Sequence, residues 1–326
     1  MSNLLKRWKA LWHPDRFHGW GRTRGYFEGW YYKMVSRDES LAFALIPGVS
    51  MDIKGDSHAF IQMIDGTAGK AYYERYDLAA FETRSDRFWV SLGGNSFDKS
   101  RVEINLPQIK GSVGLSNITP WPSELGAPGV MGWYSFVPAM QCYHGVVSMH
   151  HVLEGSVVYN DQEYDLDGGI GYIEKDWGTS FPKCWIWMQS NHFEDLTRNV
   201  SLMASVAHIP WMGRYFVGFL VALWIDNKLY KFTTYSGAKM QSTMDDDHVY
   251  LTYKKGIRSL EIKAKRGPTA ELISPLVGEM AGKVNESLAA TMEVHLQDGQ
   301  KTIYRGTGRN AGLEVAGDVS ILMTQP

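Results

Sequence analysis

From Tyr26 onward the chain is written in short alternating runs, and no long helical period interrupts them. FEGWYYKMV comes first, then LAFALI (41–46), HAFIQMI (58–64), AYYERY (71–76), RFWVSL (87–92) and RVEINL (101–106). Successive side chains on a strand point to opposite faces, so such runs make half-buried strands. Asp65-Gly66, Asn160-Asp161, Asp226-Asn227 and Asp298-Gly299 fall between runs as turns, and paired turn residues of this kind close antiparallel hairpins. The pattern predicts an all-β chain of antiparallel sandwich or barrel type and argues against a βαβ design.

A chain of 326 residues exceeds the size at which one core usually keeps growing, so two domains are expected. The second half opens on CWIWMQSNHF (184–193) and continues with strand patterns at 200–207, 215–225, 229–235, 248–254 and 258–264. Both halves start on a Trp-rich strand and go on as a meander, which reads as a duplicated all-β unit. The expected division is an amphipathic segment over 1–19, a first domain over 20–178 and a second over 179–326. Residues 117–141, with four prolines and three glycines, make a long irregular loop of the kind that walls or covers a binding site. Residues 271–290 are less regular and are expected to hold one short helix.

The formal net charge is −2, which argues against a nucleic-acid partner, since a phosphate backbone demands a basic surface. Two cysteines, Cys142 and Cys184, are no disulfide framework, and a reducing, cytoplasmic setting fits them. The N-terminal segment has no signal-peptide core: Lys6, Arg7 and Lys9 break its apolar residues. Leu4, Leu5, Trp8, Leu11 and Trp12 recur at helical spacing there, without an acid. Such a basic amphipathic helix either packs on its own domain or makes peripheral contact with a membrane, here the inner face, through residues 3–12. Nothing implies an obligate protein partner.

The densest mixture of ionisable and aromatic residues is GYIEKDWGTSFPKCWIWMQSNHF (171–193). Strand alternation puts Glu174 and Asp176 on one face and Lys175 on the other, with the two carboxylates about 7 Å apart. In a closed apolar setting such a pair holds one member protonated, and a neutral carboxylic acid can act as a proton donor. The flanking Trp177, Phe181, Trp185 and Trp187 make that setting as plausible as a solvent-facing hairpin. Further along, Trp185, Trp187, Gln189 and Asn191 share a face. Rings with amides suit an amphiphilic ligand, although a core stripe capped by polar residues would look the same. His144 and His150 share a face but lie roughly 20 Å apart on an extended strand, so no metal site is expected. No phosphate-cradling loop, dinucleotide fingerprint or nucleophile elbow is present.

FEGWYYK (27–33), GYIEKDWGTSFPKCWIWMQSNHF and the halved all-β layout together resemble the tocopherol cyclase family, over nearly the whole chain from about His18. MGWYSFVPAMQCYHGVVSMHH (131–151) is similar to its bacterial members, and the absence of a plastid transit extension agrees. The resemblance implies two tandem lipocalin-like antiparallel β-barrels packed side by side, and a cofactor-free reaction. A protein acid protonates a prenyl double bond, a tertiary carbocation forms, and a phenolic oxygen closes a chromanol ring. The partner is then a hydrophobic, prenylated or isoprenoid small molecule. The resemblance makes Glu174 and Asp176 the proton-donor pair, with Glu28 as another candidate. The plant pattern carries Asn at the place of Asp176, which moves the weight to Glu174. Trp30, Tyr32, Trp133, Tyr134, His144, Trp177, Trp185, Trp187, Gln189 and Asn191 are the expected substrate contacts. A lipid carrier without turnover and an isoprenoid hydratase are the competing expectations.

Overall fold

A computed structural model describes residues 2–324 of the chain. Its strands form two antiparallel sheets, of twelve and eleven strands among the described residues. The chain divides into two compact units. The first unit comprises residues 1–67 and 71–181 together with the later segment Leu272–Lys283; the second comprises 68–70, 182–271 and 284–326.

In the first unit the central strands are Tyr26–Val35 (β1), Cys142–Tyr159 (β2) and Ile170–Gly178 (β3), with β3 hydrogen-bonded between the other two. Outward from β1 the row continues through Ala42–Met51, Ser57–Asp65 and Lys70–Asp77. Outward from β2 it continues through Ile109–Thr119 and Arg101–Asn105 to three short strands ending at Glu82–Thr83. Trp30, Tyr32, Phe43, Ile61, Val102, Val113, Val157 and Ile173 all enter one buried cluster. Strands from along the whole row share one core, so the sheet has to curl around it. β1 is buried on both faces, because Tyr31 and Lys33, opposite in phase to Trp30 and Tyr32, are also shielded.

The second unit starts its sheet with Trp185–Ser190 (β4), which lies between Val200–Trp211 and Lys301–Ala316. Ile186 and Met188 point into the second core with Leu202, Val221, Tyr253, Ile262 and Leu313. The expected turns are present. Asp226 and Asn227 both take positive φ between Ile225 and Lys228, as do Asn160 and Asp161 between Tyr159 and Gln162.

The helix expected within residues 271–290 is absent. Ala270–Leu276 and Glu279–Asp298 are paired strands, joined where Val277 and Gly278 adopt left-handed φ values of 53° and 82°. Within the first unit the Gln62 side-chain amide exchanges two hydrogen bonds with the Ile273 backbone, and the Ser50 hydroxyl donates to the Gly278 carbonyl. These tertiary hydrogen bonds hold a segment whose own pattern is weak.

Candidate active site

Strand register sorts the charged residues of β1, β2 and β3 onto two faces. Trp30 stands opposite Lys175 and Glu28 opposite Trp177, while Tyr31 stands opposite Glu174 and Gly29 opposite Asp176. On the other side of β3, His144 is opposite Asp176 and Gly145 opposite Lys175. Directly opposed residues share a face. Lys175, Glu28, Trp30 and Trp177 therefore form one group, and Glu174, Asp176 and His144 form another.

The first group lies on the core side. Glu28 and Lys175 are ion-paired, and both side chains are fully buried. Four donor groups converge on the Glu28 carboxylate: the Lys175 ammonium, the backbone N–H of His18 (2.9 and 3.0 Å to the two oxygens) and of Gly19 (3.0 Å), and the Tyr26 hydroxyl (2.5 Å). Burial by itself raises the Glu28 pKa, but the Lys175 charge and the hydrogen bonds outweigh it and hold the carboxyl below its usual range. Lys175 donates to the Arg16 carbonyl and, over 2.7 Å, to His18 Nδ1. Its ammonium also sits 4.8 and 4.6 Å from the ring centres of Trp30 and Trp177. Burial pulls Lys175 downward, yet every group around the ammonium accepts from it or faces it with a π cloud, so the pair stays charged. Burial, followed by the Lys175 charge, lowers His18 as well. The neutral ring then accepts at Nδ1 and donates through Nε2 to the Ala10 carbonyl at 3.1 Å. Gly145 makes room for this packing, since a Cβ there would lie 2.7 Å from Pro14 and 3.1 Å from the Trp177 ring.

The second group has a different shape. His144 Nδ1 is 2.9 Å from Asp176 Oδ1, and its Nε2 is 3.5 Å from Glu174 Oε2. The Tyr172 hydroxyl donates to the same Glu174 oxygen at 2.6 Å. Burial, then the Glu174 charge, raises Tyr172 far above an ordinary phenol, so it serves as a neutral donor. Cys142 Sγ approaches Asp176 at 3.8 Å, and burial keeps it a neutral thiol. Side-chain exposure falls along the line, from 26% at Asp176 through 10% at His144 to 6% at Glu174.

One nitrogen or oxygen from each of His144, Glu174 and Asp176 lies within 4.8 Å of the others, so the three could in principle ligate a metal ion. The ring, however, presents its two opposite nitrogens to the two carboxylates. A single ion takes only one nitrogen from an imidazole, so this orientation suits proton sharing better than ligation. His144, expected as a substrate contact and set against His150 on its own strand, instead has two carboxylate neighbours from β3, which spacing along β2 does not reveal.

The expected contacts separate. Trp30, Tyr32 and Trp177 stand on the opposite face from Glu174. The Tyr32 hydroxyl donates to the Asp98 carbonyl, the Trp30 indole to the Asp15 carbonyl at 2.8 Å, and Trp177 stacks on His18 at 4.1 Å. The physical reason is strand phase, since Trp177 alternates with Lys175 and not with the acids. Glu28, the other candidate acid, is held by four donors in its ionised form, which has no proton to give. Trp133 and Tyr134 stack on each other at 4.1 Å in a short 3-10 turn, Gly132–Phe136, with Trp133 exposed. In the second unit Trp187 and Gln189 are buried, Trp185 is half-buried, and the three alternate with the core residues Ile186 and Met188. Trp185 donates to Glu314 at 2.5 Å, and Trp187 lies against Gly312, where a Cβ would approach its ring to 2.6 Å. Asn191, just past β4, is buried too.

Two curled antiparallel sheets in one chain define the class of tandem lipocalin-like β-proteins, and solved structures of that class match this one. CghA bound to Sch210972 superposes with a TM-score of 0.57 over 90% of this chain and 88% of that one, at 13% identity. A putative AttH from Nitrosomonas europaea superposes with a TM-score of 0.54 over 89% and 92%, at 16% identity. A family model described as tocopherol cyclase-like matches residues 113–317, and the chain belongs to that family. The probable chloroplastic tocopherol cyclase of Oryza sativa subsp. japonica is 25% identical over 365 aligned positions, spanning 92% of this chain and 77% of the rice protein.

Proposed function

We propose that the chain is a cyclase of prenylated quinols or related isoprenoids, with Glu174 as proton donor and with His144 and Asp176 resupplying it. The observation that carries this reading is the line Asp176–His144–Glu174, graded in exposure, with one imidazole hydrogen-bonded to Asp176 through Nδ1 at 2.9 Å and turning Nε2 to within 3.5 Å of Glu174. A proton taken up at Asp176 passes to His144 Nδ1, and the ring releases one from Nε2 towards Glu174. The 3.5 Å step is long for a hydrogen bond, and catalytic contacts commonly tighten when substrate binds. Glu174 then protonates the prenyl double bond nearest the ring and leaves a tertiary cation. The phenolic oxygen supplies the electron pair that closes the new ring and releases its proton to the medium, while one proton from the Asp176–His144 line reloads the Glu174 carboxylate. Substrate and product are isomers, so the step needs no oxidant, reductant or water.

Tyr172 holds Glu174 in place through their hydrogen bond, and Tyr31, its cross-strand neighbour, offers an aromatic ring on the same face.

The experiment is incubation of the purified protein with prenylated quinols of several chain lengths, with products followed by mass spectrometry and fluorescence. A product of unchanged mass with chromanol fluorescence is expected. Binding without turnover at every length would replace the cyclase with a carrier, and a gain of one water would make it a hydratase.

A further inference from the structure

Helix Asn3–Ala10 (α1) is amphipathic, yet it is mounted with its apolar side outward. Leu4, Leu5 and Trp8 are 74%, 52% and 58% exposed, and only Ala10 of the helix is buried. The side facing the protein is the polar one. Lys6 Nζ lies 3.9 Å over the Trp20 ring, and the Asn3 side chain packs against Gly21. A surface helix normally does the reverse, so burial in this domain does not account for the apolar stripe.

The stripe continues onto the long loop. Trp8 meets Trp12 edge-on at 5.5 Å, and Trp12 meets Phe136 at 5.6 Å. The Trp12 indole donates to the carbonyl of Leu125, whose side chain is 85% exposed. Leu4, Leu5, Trp8, Trp12, Leu125 and Phe136 thus form one connected apolar surface, all within the first unit.

Charge selects the occupant. At about 100° per residue, Arg7 and Lys9 fall on either side of the apolar sector of α1. Residues 2–14 carry three basic groups and no acid. Arg22 and Arg24, both exposed, follow Gly21 beside the helix start, and Glu124 is the one acid in the adjoining loop. Apolar and aromatic side chains flanked by long cationic ones match the boundary between acyl chains and anionic headgroups. No helix among the described residues is long and apolar enough to cross a membrane, so this contact would be peripheral.

We propose that α1 and the loop at Leu125 and Phe136 form a docking surface for an anionic lipid bilayer. The proposal does not rest on the acid chemistry of β3.

The test is flotation with vesicles of phosphatidylcholine, with and without phosphatidylglycerol, at low and high salt. The full chain is expected to float with the anionic vesicles and to be released as salt screens the cationic side chains. Leu5→Glu/Trp8→Glu should bind at least about tenfold more weakly with an unchanged melting temperature. Lys9→Glu/Arg24→Glu should lose the preference for phosphatidylglycerol. A wild-type protein that stays unbound with both vesicles, or a Leu5→Glu/Trp8→Glu protein that floats equally well, would overturn the proposal. So would a wild-type dimer in lipid-free buffer that Leu5→Glu/Trp8→Glu dissociates, since the surface would then belong to a second copy. Equal flotation with and without phosphatidylglycerol would overturn the anionic assignment.

Discussion

Glu174, Lys175 and Asp176 are consecutive on one strand, yet they serve two chemically opposite clusters. On the core side Lys175 meets Glu28, which is fully shielded and surrounded by donors. On the other side Glu174 and Asp176 flank one imidazole, and exposure rises along the line to 26% at Asp176. Both clusters hold a buried carboxylate, so burial alone does not make an acid reactive. Glu28 has its counter-charge built in and is fixed in one state. Two carboxylates sharing one histidine can pass a proton, because the imidazole can take it on one side and release it on the other. The same strand carries a fixed ion pair on one face and a carboxylate–imidazole line suited to moving a proton on the other, and strand phase sorts the two.

The sharpest way to break this contrast is to remove the proposed donor. Glu174→Gln keeps the shape and the Tyr172 contact but has no acidic proton. Turnover of a prenylated quinol should fall by about 10²–10⁴-fold with little change in melting temperature. Full activity in this variant would sink the assignment even if the wild type cyclises. The counterpart on the other face is Lys175→Met. It leaves the Glu28 charge buried without its partner, and stability should drop by about 3–5 kcal/mol, read as a lower denaturant midpoint. If unfolding midpoints did not move, the ion pair would be no brace. The pH dependence has the same origin. The folded pKa of Glu28 is depressed, so its stabilisation is present above the unfolded value of 4.5 and is lost as pH falls through the lower folded one.

Alternation made much of this legible. YIEKDW by itself separates Glu174 and Asp176 from Lys175, and the turn pairs located the hairpins. The same alternation places Trp177 with Lys175, and reading every nearby indole into one pocket ran against it. Partners across strands were harder. Glu28 and Lys175 meet because β1 and β3 are neighbours despite being far apart in the chain, which the local pattern does not encode. His144 reaches Asp176 in a register that bulges around Ser148 interrupt, and no spacing rule on β2 anticipates it. The strand character of residues 271–290 was missed because the segment Leu272–Lys283 is ordered by Gln62 and Ser50.

Asp176 tests the relay more gently. If it is the outer station that reloads His144, Asp176→Asn should slow turnover by about tenfold and leave a single round, measured with enzyme in excess, nearly intact. The tyrosine contact to Glu174 remains, and the donor itself is still present. A loss as deep as that of Glu174→Gln in both regimes would show that Asp176 is the donor or is inseparable from it. Removing metal separates proton sharing from ligation at the same residues. Dialysis against a chelator should leave the rate unchanged, and restoration by one divalent ion after a loss would make His144, Glu174 and Asp176 its ligands.

The last effect is on stability alone and comes from a histidine outside both clusters. His151 is fully buried, with Ser148 Oγ 3.0 Å from its Nδ1. Burial first, and the neighbouring His150 second, lower its pKa to about 3. The unfolded chain titrates at 6.5, so between these limits it binds a proton that the folded chain refuses. His151 therefore favours the native state fully above 6.5, and that contribution declines as pH falls towards about 3. The decline should run at about 1.4 kcal/mol per pH unit in mid-window. His151→Asn removes the titration and keeps a polar group for Ser148. Its urea midpoint should lie below that of the wild type at neutral pH, and the two should converge as the medium is acidified towards pH ~4. Parallel curves over that range would mean that His151 takes up its proton in the folded state, and that burial at this position does not exclude charge.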